Sequence, residues 1–168
     1  MSVDWLPGLL LLEDYGGDWT RYVEALHQRF LTDFVASKPG WRGKDVRLKR
    51  HPEYDGKSAT FWHMISEGAT EADRTPDMRR CERIAWPRPI MDEHDGAAPG
   101  KTACRVLWWT EMRGTETRFH LAPDDFSYVV VVADRGDFVL PWTAYYVEFA
   151  YRREKLRKKW RDFWSQKS

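Results

Sequence analysis

The sequence predicts an α+β domain: an N-terminal helix, then a small and mainly antiparallel sheet with a mid-chain helix, then a long basic C-terminal helix. Three observations carry that expectation. Tyr128 to Ala133 is an unbroken Val-rich run, and successive β-branched side chains fit a pleated, packed surface better than a helix. Asp134-Arg135-Gly136-Asp137 turns the chain into a second apolar run, Phe138 to Tyr145, so the two runs read as a hairpin. On either side of the sheet the apolar spacing becomes helical. Trp19, Val23, Leu26, Phe30 and Phe34 form one stripe, and Phe149, Leu156, Trp160 and Phe163 form another.

The elements follow in order. Residues 1–17 are an irregular lead-in containing Pro7, Gly16 and Gly17. Asp18 caps a helix over residues 18–37, and Lys38-Pro39-Gly40 ends it. Residues 44–145 hold the sheet and an arginine-rich helix. Val46, Leu48 and Arg50 alternate with Arg47, Lys49 and His51, which reads as a strand. Asp55-Gly56 turns it, and Ala59 to Ile65 reads as the returning strand. Thr75-Pro76-Asp77 reads as a helix start, with Thr as cap and Pro in the first helical position. Met78, Cys81, Ile84 and Ala85 point inward from that helix, and Arg79 and Arg83 share another face. Trp86-Pro87-Arg88-Pro89 stops it, and residues 92–100 read as a loop. Ala103 to Met112 and Thr117 to Leu121 flank Gly114 as a second hairpin. Pro141 has no N–H to donate, so the last strand requires an edge, a bulge or an irregular start there. Residues 146–165 form the C-terminal helix.

At 168 residues the chain is one domain by size, 1–168, and long enough to bury a core. No apolar stretch approaches the ~20 residues of a membrane span, and Asp4 before Leu9 to Leu12 is wrong for a secretory signal. A cytoplasmic protein without a membrane partner is expected. Cys81 and Cys104 lack the spacing of a disulfide framework or zinc site. The net charge of +1 hides an asymmetry: residues 152–162 hold seven basic and two acidic side chains. Such a strip suits phosphates, or is simply the solvated face of a helix.

The familiar nucleotide-loop, hydrolase and zinc-protease motifs are absent. Asp92, Glu93, His94 and Asp95 read as polar loop surface, so neither metal nor cofactor is expected. The remaining residues suit metal-free phosphodiester chemistry. Cleavage of RNA through its own 2′-OH needs a base, an acid and cations around the phosphate. His63 or His51 can exchange the proton near neutral pH. Arg50, Arg79 and Arg83 can grip phosphate oxygens in pairs of bonds, with Lys49 adding charge. The hydroxyls of Thr143 and Tyr145 can position the scissile group. Trp62, Trp142 and Tyr146 can stack on bases of single-stranded RNA. Each residue also has a plainer reading. His63 can be a half-buried histidine bonded to backbone, His51 turn surface, the arginines partners of nearby carboxylates, and Thr143 a strand residue.

The late strand ending in Thr143-Ala144-Tyr145 resembles the last strand of BECR-fold ribonuclease toxins, the barnase, EndoU, colicin and RelE group with its phage-borne members. The resemblance covers roughly residues 44–151. It implies N-terminal helices followed by an antiparallel sheet, metal-independent RNA cleavage, and an inhibitor protein as a further candidate partner. It matches His63, Lys49, Arg50 and Thr143 to reacting positions. It also implies that the first hairpin, the arginine helix and the last strand surround one cleft, where Arg83 joins them. The competing reading is a non-catalytic nucleic-acid- or protein-binding module of a mobile element.

Overall fold

A computed structural model of the chain describes residues 3–94, 96, 98–99 and 105–167. Helix α1 spans Trp19–Leu31, with the Asp18 side chain accepting from the Arg21 amide at 3.2 Å, as its sequence position demands. Its last turn widens into a π turn over Thr32–Ala36. Val23, Leu26, Phe30 and Phe34 of the expected stripe are buried, while Trp19 stays 39 % exposed. Tyr22 is buried instead, and its hydroxyl donates to the Leu10 carbonyl.

The remaining elements are β1 Gly40–Trp41, β2 Lys44–Val46, α2 Ala59–Ile65, β3 Ser66–Glu67, β4 Thr75–Pro76, α3 Met78–Glu82 and α4 Pro87–Glu93. Then come β5 Val106–Arg113, β6 Glu116–Pro123, β7 Tyr128–Asp134, β8 Phe138–Tyr146 and α5 Ala150–Ser165. Six strands form one sheet in the order β1-β2-β8-β7-β6-β5, and β3 pairs with β4 in a separate ribbon. All pairings are antiparallel except β2 with β8. The architecture is therefore the expected single-domain α+β one, with β7 inside the sheet.

β7 is buried on both faces, which explains its lack of alternation. Tyr128, Val130 and Val132 meet the core under α1 to α4, and Val129 and Val131 meet a smaller cluster under α5. The irregularity required by Pro141 is a bulge. Val131 pairs with Thr143 and Val132 with Pro141, so Trp142 is the extra residue and is re-aimed.

Several expectations are corrected. Residues 59–65 are not a returning strand but α2, started by the Ser58 side chain, which accepts from the Phe61 amide. The Asp55-Gly56 turn exists, with both residues at positive φ and Tyr54 bridged to Lys57, but no long hairpin surrounds it. Thr75 and Pro76 lie in β4, and Asp77 caps the arginine helix by accepting from the Arg80 amide. Pro87 does not end a helix but opens α4, because a first-turn Pro lacks only an N–H with no helical partner. The C-terminal helix starts at Ala150 rather than 146, since β8 runs on through Tyr146. Phe149 precedes it and is 52 % exposed, outside the expected seam. Parts of the 92–100 loop and of the strand expected from Ala103, with Cys104, lie outside the described residues.

Candidate functional site

Beyond Val46 and its partner Val139, β2 leaves β8, and α2 takes its place along the strand. This contact builds the site. The Thr143 hydroxyl donates to the His63 carbonyl at 2.9 Å, and Arg80 Nη1 reaches Thr143 Oγ1 at 3.4 Å and the Ser66 carbonyl at 2.7 Å. Arg74 donates from Nε to Ser66 Oγ at 3.0 Å and from Nη2 to the Ser66 carbonyl at 2.5 Å. Two guanidiniums and a hydroxyl thus satisfy the carbonyl end of α2, where positive charge is favoured.

The segment 68–74 folds back beneath this end. At Gly68 an added Cβ would lie 2.8 Å from Arg74 Cα and from the Asp73 carbonyl, so only glycine permits the approach. The fold-back carries Glu71 to His63, with Oε1 at 2.6 Å from Nε2. The His63 side chain is 5 % exposed and that of Glu71 45 %. Burial, ahead of the opposing bond to Glu71, holds the His63 imidazole below its ordinary value of 6.5. The ring is then neutral at pH 7, and a carboxylate at Nε2 places its hydrogen on that nitrogen.

A cleft of about 520 Å³ opens over this pair, walled by Arg74, Arg80, Arg113, Arg118, Trp142 and Thr143. Glu67 and Glu71 are its acidic side chains, so four guanidiniums face two carboxylates and the cleft is net positive. The bulged Trp142 meets His63 edge-on at 5.4 Å. Arg118 lies 4.7 Å from its ring centre and Lys49 5.4 Å.

His63, Thr143, Trp142 and Lys49 therefore come together, though His63 does so from a helix. The other proposed site residues lie elsewhere. Arg50 and His51 line a separate groove of about 850 Å³ between α1 and residues 46–58, and Arg50 is near Glu53 at 3.8 Å. Trp62 is turned away onto Tyr54 and donates to its carbonyl. Arg79 pairs with Glu82 at 2.9 Å. Arg83 stacks 3.9 Å from the centre of the Tyr146 ring. Tyr145 packs into the cluster beneath α5, where burial pushes its phenol up to about 12. The arginine of α3 that faces the cleft is Arg80.

Glu71, Arg74, Arg113 and Arg118 were not singled out from the sequence. Only Gly68, between His63 and Glu71, hinted at the tight return that joins them. Among the described residues no group of three or more His, Cys, Asp or Glu side chains could hold a metal ion. Asp92 is bound by Arg88 and Glu93 by Arg105, while Asp95 lies outside the described residues. Among the described residues, too, no helix is long and apolar enough to cross a membrane. No family model, curated protein or solved structure matches the chain. The ribonuclease resemblance rests on the late-strand motif and the order of elements alone.

Proposed function

We propose that this cleft binds single-stranded RNA and cleaves it by attack of the 2′-OH, without a metal. The observation that supports the reading is the convergence of four arginines on the Glu71–His63 pair. Arg113 and Arg118 hold the phosphate oxygens and stabilise the charge that grows on them. Glu71, the more exposed member of the pair, takes the 2′-OH proton. The 2′ oxygen bonds to phosphorus, the bond from phosphorus to the 5′ oxygen breaks, and that oxygen takes a proton from solvent. The products carry a 2′,3′-cyclic phosphate and a 5′-OH. His63 is a positioning residue here: from its buried seat it donates to Glu71 and fixes the carboxylate.

The test is incubation with total RNA in EDTA, with the end groups read. Cyclic phosphate ends are expected, and Glu71→Gln should lower the rate by roughly 10²–10⁴. His63→Gln, which can still donate to Glu71, should lower it less. RNA left intact both in EDTA and with added divalent ions overturns the reading.

One observation favours a second reading. Arg74 and Arg80 already serve the carbonyls of α2, and His63 is almost fully covered. A basic cleft so built can bind RNA without cutting it. Salt-sensitive binding with no cleavage is the result expected of that module.

A further inference from the structure

Phe149 and Tyr151 are 52 % and 58 % exposed, yet their rings stack on each other. The ring centres are 5.9 Å apart and the planes differ by 18°. Neither ring belongs to either core cluster. Single exposed aromatics are ordinary, but a near-parallel exposed pair offers a flat π surface. Cations frame it: Lys155 Nζ lies 5.8 Å and the Arg152 guanidinium 6.0 Å from the centre of the Tyr151 ring. Glu148 and Glu154 are the acidic neighbours in the adjoining sequence, both exposed, and Glu154 pairs with Arg157 at 3.3 Å.

The pair is held in place. The Phe149 carbonyl accepts from the Arg152 and Arg153 amides. Arg153 Nε donates to the Val147 carbonyl at 2.8 Å, and its Nη2 to the Tyr146 hydroxyl at 3.3 Å. A surface fixed this way loses little freedom when a ligand stacks on it. It follows directly on the strand that reaches the cleft, because Thr143 of the cleft wall lies on β8, which runs through Tyr146 to within three residues of Phe149.

We infer that Phe149 and Tyr151, with Arg152 and Lys155, form a stacking subsite for bases of single-stranded RNA that flank the segment held in the cleft. Flat rings beside cations suit unpaired bases and their phosphates, while duplex bases keep their faces covered. The inference rests on the RNA reading of the cleft for the position of the strand.

The experiment uses the full chain and its Phe149→Ala/Tyr151→Ala double variant. Binding of a labelled 2′-O-methyl 12-mer, which cannot be cleaved by 2′-OH attack, is measured by anisotropy. The variant should bind about tenfold more weakly or worse, with unchanged thermal unfolding. A duplex of the same sequence should show little difference between the two proteins. If wild type cuts RNA, the variant should raise KM for the unmodified 12-mer and leave a dinucleotide unaffected. Equal affinity of the two proteins for the 12-mer overturns the subsite, even if wild type cleaves RNA. Weakened binding on the variant upholds it, even if wild type cuts nothing. Attachment of wild type, but not variant, to vesicles containing anionic lipid, with equal RNA binding, would assign the rings to a membrane surface and overturn it.

Discussion

The two faces of the central sheet are closed by different means. On one, α1, α2 and α4 bury Tyr22, Phe30, Phe61, Met64 and Ile90 to 1 % exposure or less, and all lie in one cluster with β7. On the other, α5 contributes no fully buried residue. Leu156, Trp160 and Phe163 are only partly covered, and polar links supplement them: Lys159 to Glu111 at 3.3 Å and Trp164 Nε1 to the Trp108 carbonyl at 2.8 Å. Apolar area removed from water sets most of the stability. The first face is therefore the body of the fold, and the second is a helix laid over it. The candidate cleft sits where α2, from the strongly held side, meets the open flank of β8.

The sharpest way to break this contrast is a pair of truncations. Phe61→Ala, on the first face, should destabilise the protein by about 3–5 kcal/mol in urea unfolding. Trp160→Ala, on the second, should cost about 2 kcal/mol, since only part of the ring leaves water. Equal losses would remove the distinction. Amides of α5 should also exchange hydrogen sooner than those of β7. Gly68→Ala tests the fold-back near the cleft. It should cost about 1–2 kcal/mol, because backbone atoms rather than flexible side chains must move. It should also weaken RNA binding more than its stability loss explains, and an unchanged urea midpoint would show that the loop tolerates a Cβ.

The smallest expected effect is on pH. His27 and His63 on the first face and His120 on the second are all held below 6.5, first of all by burial. Above 6.5 both folded and unfolded forms keep these rings neutral, and their contribution is complete. As pH falls below 6.5 the unfolded chain takes up protons first, so stability drops until the depressed folded values are reached. The urea midpoint should fall between pH 7 and pH 5. His120→Gln should flatten the part of that fall that belongs to the α5 side.

The contrast also explains what was legible in the sequence. The β7–β8 hairpin was plain, because successive β-branched valines favour a strand over a helix, and Pro141 required an edge, a bulge or an irregular start, of which the bulge is the one present. The stripe of α1 was equally plain over thirteen residues. Residues 59–65 were misread because ATFWHMI is apolar on nearly every side, so neither period stands out in seven residues. Ser58 alone marked the helix start. The site was half legible. His63, Trp142 and Thr143 come together, but through α2 docking beside a strand rather than through strands pairing. Glu71 was not legible, because a loop contact depends on the tight return at Gly68 and not on any periodicity.

The outer strands of the sheet differ in a way that bears on self-assembly. β1 is two residues long, too short to receive another strand. Among the described residues β5 is the other outer strand, eight residues long, and an edge of that length, where unguarded, is a template on which a second molecule can add its own strand. The indole of Trp164 is bonded to the Trp108 carbonyl of β5 at 2.8 Å, near the end of α5. The weakly held helix thus also guards a strand edge. Shortening the chain before Trp164 should leave the sheet folded and make the protein associate as its concentration rises.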